Sequence, residues 1–588
     1  MAANIGTTID SLKVSFLILA QNWPLFLHLL TLQFAFAVLV SSVLAKIIFD
    51  KNLTAVLSFL GGILGASLFS LFMVTLKVTP SPNLGMVIYV IALVFIIWKR
   101  DQISFSISLL KLLTLFFLIL LFRLIFVQGL LVPPYADSVT HFKIVQDFIS
   151  PGNPPQAFFY LSFDVQHYYH FGFHSLAAWL SGVSSTDPIH TILLLGQYFQ
   201  ALAVLSIYPL VLVLSRNSLS AWTALCVSGL FLPTPAYASN WGKYPAVASM
   251  IGIVFTLTLL LVHLKSPSTS TKGLRWLLGF AILSSACLHS RSVIALAAIW
   301  AAFLITKKME GWRNRQLTDG SNTDGAEMLA PVLVIAAIIS IIFVWEIGFS
   351  IWMFLALIFV FALAFWGNFF LASCIAILII IAGFGYYAPM EWLPLPPRFG
   401  EIFDRPFLVI FFFLPASLLV WLGMEGAAGL FTGVNRIPFQ RVFLIGSLMV
   451  GMINVFVFQN HHPSECCIFV DDDDLFAFAW MEDNIPKDGI IGIASLGEPG
   501  NYLPMDGGAW IEHFTGIATR RLDSRADFYY EAESFCEDGV NYIYLDDLEN
   551  SFDEYGLLDI NSHHMFSIGG VKIYQLPCDQ LSQNTEFP

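Results

Sequence analysis

Apolar runs long enough to cross a bilayer recur along the first three quarters of this chain, and nothing else restricts its folding as strongly. A helix needs about 20 apolar residues to traverse the hydrocarbon core. Runs of that kind predict helices at 24–48, 53–76, 84–98, 104–131, 189–215, 219–235, 244–264, 273–289, 291–306, 329–345, 348–366, 369–387, 406–423 and 441–458, about fourteen in all. Residues 11–23 read as an interfacial helix or as part of the first span. Composition agrees: 12% of the residues are charged, against about 25% in a soluble domain. The expected class is a polytopic α-helical membrane protein. Its 55 Phe suit lipid-facing and interfacial positions. Met1–Asp10 lacks a basic segment followed by an apolar core, so no cleavable signal peptide is expected.

Loop charge then orients the bundle. Lys46 with Lys51, Lys99 with Arg100, Arg216, the group Lys265, Lys272 and Arg275, the group Lys307, Lys308, Arg313 and Arg315, and Arg436 with Arg441 all fall on one side if the spans are counted as above. By the positive-inside rule that side is cytoplasmic. The other side collects residues 132–188, the turn TPAYASNWGKYP at 234–245, the His289-Ser290-Arg291 turn, the segment 386–406 and everything from Asn460 onward. Long structured loops usually carry function, so the working face is expected to be extracytoplasmic. Membrane lipids are an obligatory partner. The prokaryotic plasma membrane is the expected location.

The chain divides at about residue 460. Residues 1–459 form the expected transmembrane domain, with 132–188 its first large outer loop, and 460–588 a small soluble α/β domain. In the tail DDDLFAFAWMEDN (472–484) and RADFYYEAESFCED predict helices, and GIIGIAS, YIYLDD and VKIYQL predict strands. Much of the net charge of −13 comes from Asp471–Asp474 and the stretch Glu531–Glu554, which speaks against nucleic acid as a partner. Cys226, Cys287 and Cys374 lie in apolar runs and read as packing residues. Cys466, Cys467, Cys536 and Cys578 are available to pair if the tail lies outside the cytoplasm, in an arrangement left open. Adjacent His461-His462 and Cys466-Cys467 do not match structural zinc spacings, so no metal is expected there.

Chemistry concentrates in VPPYADSVTHFKIVQDF, Val132–Phe148. Two prolines end the preceding apolar run, and Asp137, Thr140 and His141 then fall at i, i+3 and i+4, one face of a helix. A carboxylate beside an imidazole can orient a hydroxyl, move a proton or bind a cation. The bland alternative is that Asp137 caps the helix. Further along, His167, His170 and His174 recur at helical spacing, weakly suggesting a metal and more simply interfacial side chains. Asn240 to Tyr244, His289 with Arg291, and Arg398 through Arg405 complete the outer-face candidates. Lys243 and Arg291 also suit snorkelling to headgroups. Taken together, one acid and several cations have the composition needed to hold a lipid-linked phosphate and activate an acceptor hydroxyl.

The chain resembles the GT-C superfamily of membrane glycosyltransferases. The likeness rests on PPYADSVTH, HYYHFGFHSLAAWLSG, SNWGKYP, LHSRS, DDLFAFAWMEDNIPKDG and DGGAWIEHFTG, over roughly residues 104–310 and 460–580. The resemblance implies a GT-C-like fold and transfer of a sugar from a polyprenyl-phosphate-linked donor to a glycan, lipid or protein acceptor. It implies Asp137 as general base or acceptor-orienting acid, with His141 assisting, and Lys243, Tyr244, His289, Arg291 and Arg398 on the substrate side. A divalent cation, Mg or Mn, stays open as a cofactor. The chain departs from better-known members in carrying a single Asp where many have an acidic pair, and in placing about three more spans before the loop. Two other readings remain: a transporter or lipid flippase with an outer cap, for which Glu346 and Arg123 are the main mid-span ionisable residues, and a non-catalytic assembly protein acting through its acidic tail.

Overall fold

Helix starts in the apolar part are written by short polar residues. Asp50 accepts hydrogen bonds from the Asn52 and Leu53 amides, Ser81 from Leu84, Asp187 from Ile189 and His190, and Asn217 from Leu219. These side chains satisfy amides that have no partner inside the helix. Pro82 and Pro188 follow two of the caps at the first helical position, where their fixed φ fits and their missing N–H costs nothing.

The structure is a computed structural model. It describes residues 2–48, 50–100, 107–150, 170–232, 236–265, 271–318, 363–364, 368–387, 405–430, 436–458, 461–496, 503–548 and 551–581. Its helices are α1 (Ala2–Gln21), α2 (Trp23–Leu44), α3 (Lys51–Thr75), α4 (Pro82–Trp98), α5 (Ile107–Leu124), α6 (Ala136–Ile149), α7 (Gly172–Ser184), α8 (Pro188–Ser215), α9 (Ser218–Cys226), α10 (Tyr244–Lys265), α11 (Thr271–Leu288), α12 (Arg291–Thr318), α13 (Phe369–Tyr387), α14 (Arg405–Gly429) and α15 (Arg436–Phe458). Among the described residues 7 helical stretches are long and apolar enough to cross a membrane, and three apolar helices are shorter. The protein is therefore a multi-pass membrane protein. The count stops short of the expected fourteen. Of the expected spans, 329–345 lies outside the described residues, and so does 348–366 apart from 363–364. The 219–235 run is broken: α9 ends at Cys226 and a π-turn occupies Val227–Phe231. The 104–131 run likewise tightens into a 3-10 turn at Ile125–Val127. Residues 11–21 belong to α1, which ends before the first span, and Trp23 opens α2; the break falls at Asn22, just before Pro24.

The chain forms two compact units. The first comprises 1–125, 145–238 and 243–461. Its packing is apolar with a few internally satisfied polar groups. Gln33 donates to the Phe59 carbonyl at 2.9 Å and accepts the Tyr198 hydroxyl at 2.5 Å, tying α2 to α3 and α8.

The second unit comprises 126–144, 239–242 and 462–588. Helix α16 (Asp472–Asn484) opens on a capping box in which Asp471 and Asp474 exchange hydrogen bonds with each other's backbone. A sheet follows: β1 (Ile490–Leu496), β2 (Leu503–Pro504), β3 (Ala518–Asp523), β4 (Val540–Leu545), β5 (His563–Ile568) and β6 (Val571–Gln575). Parallel β3 and β4 flank β1, β2 pairs with its far end, and β6 and β5 extend the sheet antiparallel from β4. Helix α17 (Ile511–Thr515) precedes β3. Helix α18 (Phe528–Glu537) covers the sheet through Phe528, Ala532 and Phe535, against Val540, Ile543 and Tyr574. A Cys536–Cys578 disulfide joins the end of that helix to the last described helix, and Cys466 is bonded to Cys467. The three expected strands are β1, β4 and β6; β2, β3 and β5 are additional.

Candidate functional site

In the second unit the chain enters α6 through Tyr135, whose φ of 69° is left-handed. That conformation is costly for a bulky residue and persists where its surroundings enforce it. They do so here: the Tyr135 amide donates to the Cys467 carbonyl at 3.0 Å, and its ring packs on Phe469 at 5.7 Å. The helix then begins at Ala136, so Asp137 lies within its first turn, where the helix dipole favours a negative charge. Of the three residues expected on one face, His141 is buried, Asp137 half-buried and Thr140 exposed. The buried residues of this part of the helix are Ser138, Val139, His141 and Phe142, and Asp137 lies at their edge.

Two distant segments close on these residues. Residues 239–242 come from the SNWGKYP turn. A Cβ on Gly242 would stand 2.2 Å from Ser138 Oγ and 2.9 Å from the Pro134 carbonyl, and its φ of 62° also demands glycine. Ser138 itself donates to that carbonyl at 2.5 Å. Asn240 accepts from the Ser464 amide at 2.9 Å, which fixes the turn against the start of the tail. From the other side Phe142 meets Trp510 at 5.4 Å and His513 at 4.2 Å, and Lys143 pairs with Glu512 at 2.6 Å. Asp137 and His141 are thus set on a helix gripped by the turn and by the α/β domain.

In the first unit Lys243 and Tyr244 open α10, and Arg291 opens α12 just after His289. Lys243 and Arg291 are both half-buried at helix N-termini, where the dipole repels a cation by roughly 0.3–1 kcal/mol. The placement gains nothing for helix stability and concentrates positive potential. Tyr244 is fully buried; its ring lies on Gly196, where a Cβ would come within 2.3 Å, and stacks on Phe173 at 6.0 Å. A relay of rings continues from there: Phe173 to His174 at 5.7 Å, His174 to His170 at 6.4 Å, His170 to His289 at 4.2 Å, and His289 to Phe407 at 4.9 Å. Tyr244 and His289, separated in sequence, are linked through the start of α7. His167 and Arg398 lie outside the described residues.

Among the described residues no set of three His, Cys, Asp or Glu side chains is positioned to hold a metal ion. The α/β domain does bury three acids. Asp474, Asp506 and Asp546 are 3%, 0% and 7% exposed. Burial pushes all three up: Asp474 to about 7 and Asp506 well above the usual carboxylate range, each with added repulsion from Asp546, and Asp546 to about 6, with added repulsion from Asp547. Tyr544 donates to Asp474, Ser551 to Asp506 at 2.9 Å, and the Gly507 amide to Asp546 at 3.2 Å. Sequence reading passed over this cluster, because the three acids are spread over 72 residues and each lies in an ordinary polar context.

No protein-family profile matches the chain, and no curated protein matches it. The structure is similar to the crystal structure of the Archaeoglobus fulgidus oligosaccharyltransferase in complex with Zn and sulfate, at 13% identity and a TM-score of 0.23, over 87% of this chain and 54% of that one. The chain spans about half the length of that protein.

Proposed function

We propose that this protein is a membrane glycosyltransferase that moves a sugar from a polyprenyl-phosphate-linked donor to a glycan, lipid or protein acceptor on the extracytoplasmic face. The observation that carries the reading is the seating of Asp137: a half-buried carboxylate in the first turn of a helix, entered through left-handed Tyr135 and held by the SNWG turn and the α/β domain. The resemblance of PPYADSVTH to the GT-C early outer loop supports it. Asp137 takes the proton from the acceptor hydroxyl, or orients it, as the hydroxyl attacks the anomeric carbon; the bond from that carbon to the donor phosphate breaks, and the lipid phosphate leaves with the electron pair. His141, one turn on, orients or relays. Lys243 and Arg291, with Arg398, neutralise the departing phosphate, and Tyr244 and His289 shape the substrate side. The two disulfides support an oxidising compartment for the tail, in keeping with the orientation read from loop charge.

The test is an assay in proteoliposomes with a panel of polyprenyl-phosphate sugars and lipid, glycan and peptide acceptors. Covalent sugar transfer by the wild type is the expected result. Donor-dependent flux across the membrane without a covalent product would replace this reading with that of a transporter.

A further inference from the structure

Arg123 is a buried cation of the first unit that the proposed transfer does not use. It lies in the last turn of α5, inside a membrane-spanning stretch, and is 5% exposed. Its guanidinium meets side chains from two other parts of the chain: Nη1 donates to Gln200 Oε1 of α8 at 3.5 Å, and Nη2 contacts His461 Nδ1, just beyond α15. All three side chains are buried, and His461 is held by stacking on Phe122 at 5.9 Å. Neither partner is a carboxylate, and among the described residues Arg123 forms no ion pair. A guanidinium has five donors and a permanent charge. Buried against neutral groups alone, that charge is uncompensated, and in a membrane span such a residue marks a ligand or a pathway.

The backbone is irregular around the same residue. Directly after Arg123's turn α5 tightens into the 3-10 segment Ile125–Val127. The π-turn Val227–Phe231 packs Leu230 onto Phe122 and Ile125. Isolated π-turns in helical proteins occur frequently at functional sites.

We propose that Arg123, with Gln200 and His461, forms a binding site for the phosphate group of a membrane lipid phosphate. The guanidinium fork supplies charge and paired donors to phosphate oxygens, and the amide and imidazole add neutral ones. Arg123 lies close to the end of the apolar stretch Leu109–Val127, within the reach over which a long cationic side chain snorkels to lipid headgroups. The inference deepens the proposed function and rests on it for the choice of a lipid phosphate as ligand.

The experiment measures binding rather than transfer, with the full chain in lipid nanodiscs and three probes: farnesyl phosphate, farnesol and inorganic phosphate. Farnesyl phosphate is expected to bind and to raise the melting temperature, with farnesol and inorganic phosphate much weaker. Arg123→Gln is expected to weaken farnesyl phosphate about tenfold or more. Gln200→Leu, which leaves the buried cation in place, is expected to weaken it less. Farnesol or inorganic phosphate protecting as well as farnesyl phosphate would overturn the lipid-phosphate assignment, as would wild-type affinity in Arg123→Gln. If Arg123→Gln fails to insert, Gln200→Leu decides in its place: farnesyl phosphate bound at wild-type strength in that variant would overturn the site, since Lys243 and Arg291 offer the probe charge in the wild type in any case. Asp137→Asn separates the two proposals: it should bind farnesyl phosphate normally, and transfer persisting in that variant would sink the transferase reading while leaving this site standing.

Discussion

At the scale of single residues the chain places ionisable groups where they cost stability. Lys243 and Arg291 sit at positive helix ends, Arg123 is buried without an acid among the described residues, and three carboxylates fill the interior of the α/β domain. The carboxylates carry a definite pH dependence. A carboxyl whose pKa is raised on folding favours the folded state in its neutral form. That contribution is complete below the ordinary carboxylate range and is lost as pH rises through the raised values of about 6 and about 7 at Asp546 and Asp474. The groups facing the cluster among the described residues are Tyr544 on β4, Ser551, Asp547 and Asp471, none of them a cation that would offset the loss. Hydrogen exchange of the Val540–Leu545 amides, corrected for intrinsic rate, should therefore show protection falling from about pH 5 to about pH 8. Asp474→Asn should flatten the profile; a rise with pH in the wild type would contradict the account. Asp137 and His141 could be singled out from sequence because their relation is local, one helical turn. Arg123 was visible only as an oddity in an apolar run, because its partners lie 77 and 338 residues away.

At the scale of elements, the legible features were those written in a continuous stretch. Caps at Asp50, Ser81, Asp187 and Asn217 mark helix starts, and the apolar runs of β1, β4 and β6 mark strands. Strand β3 was not legible: ATRRLD has only Leu522 buried, and its pairing with β1 is set by the sheet rather than by its own pattern. The 3-10 and π-turns after α5 and α9 were hidden for a related reason, since hydropathy reports burial and not which carbonyl an amide reaches. Two predictions belong here. Gly242→Ala puts a methyl group on Ser138 and a side chain in a left-handed turn, and should destabilise the second unit by roughly 1–3 kcal/mol. Limited proteolysis of the full chain checks this; wild-type resistance would show that the turn is not needed to grip α6. The Cys536–Cys578 bridge closes 42 residues and should contribute about 2–4 kcal/mol to the same unit. Replacing both with Ser should lower its unfolding midpoint, with the membrane part unaffected.

At the scale of the whole molecule, composition alone marked a membrane protein, because 12% charge cannot coat a soluble surface. What the sequence left hidden is that Phe126–Ile144, the SNWG turn and the tail contribute to one compact unit. That unit is assembled from segments more than a hundred residues apart, and short polar loops carry no mark of their distant partners. The account makes this unit the holder of a catalytic carboxylate in a sugar-transferring membrane enzyme. The most direct test compares the wild type with Asp137→Asn in proteoliposomes, following labelled sugar from polyprenyl phosphate to acceptor. The account predicts transfer by the wild type and a fall of about a hundredfold or more in the variant, with expression, insertion and melting unchanged. Equal transfer by the two proteins would contradict it.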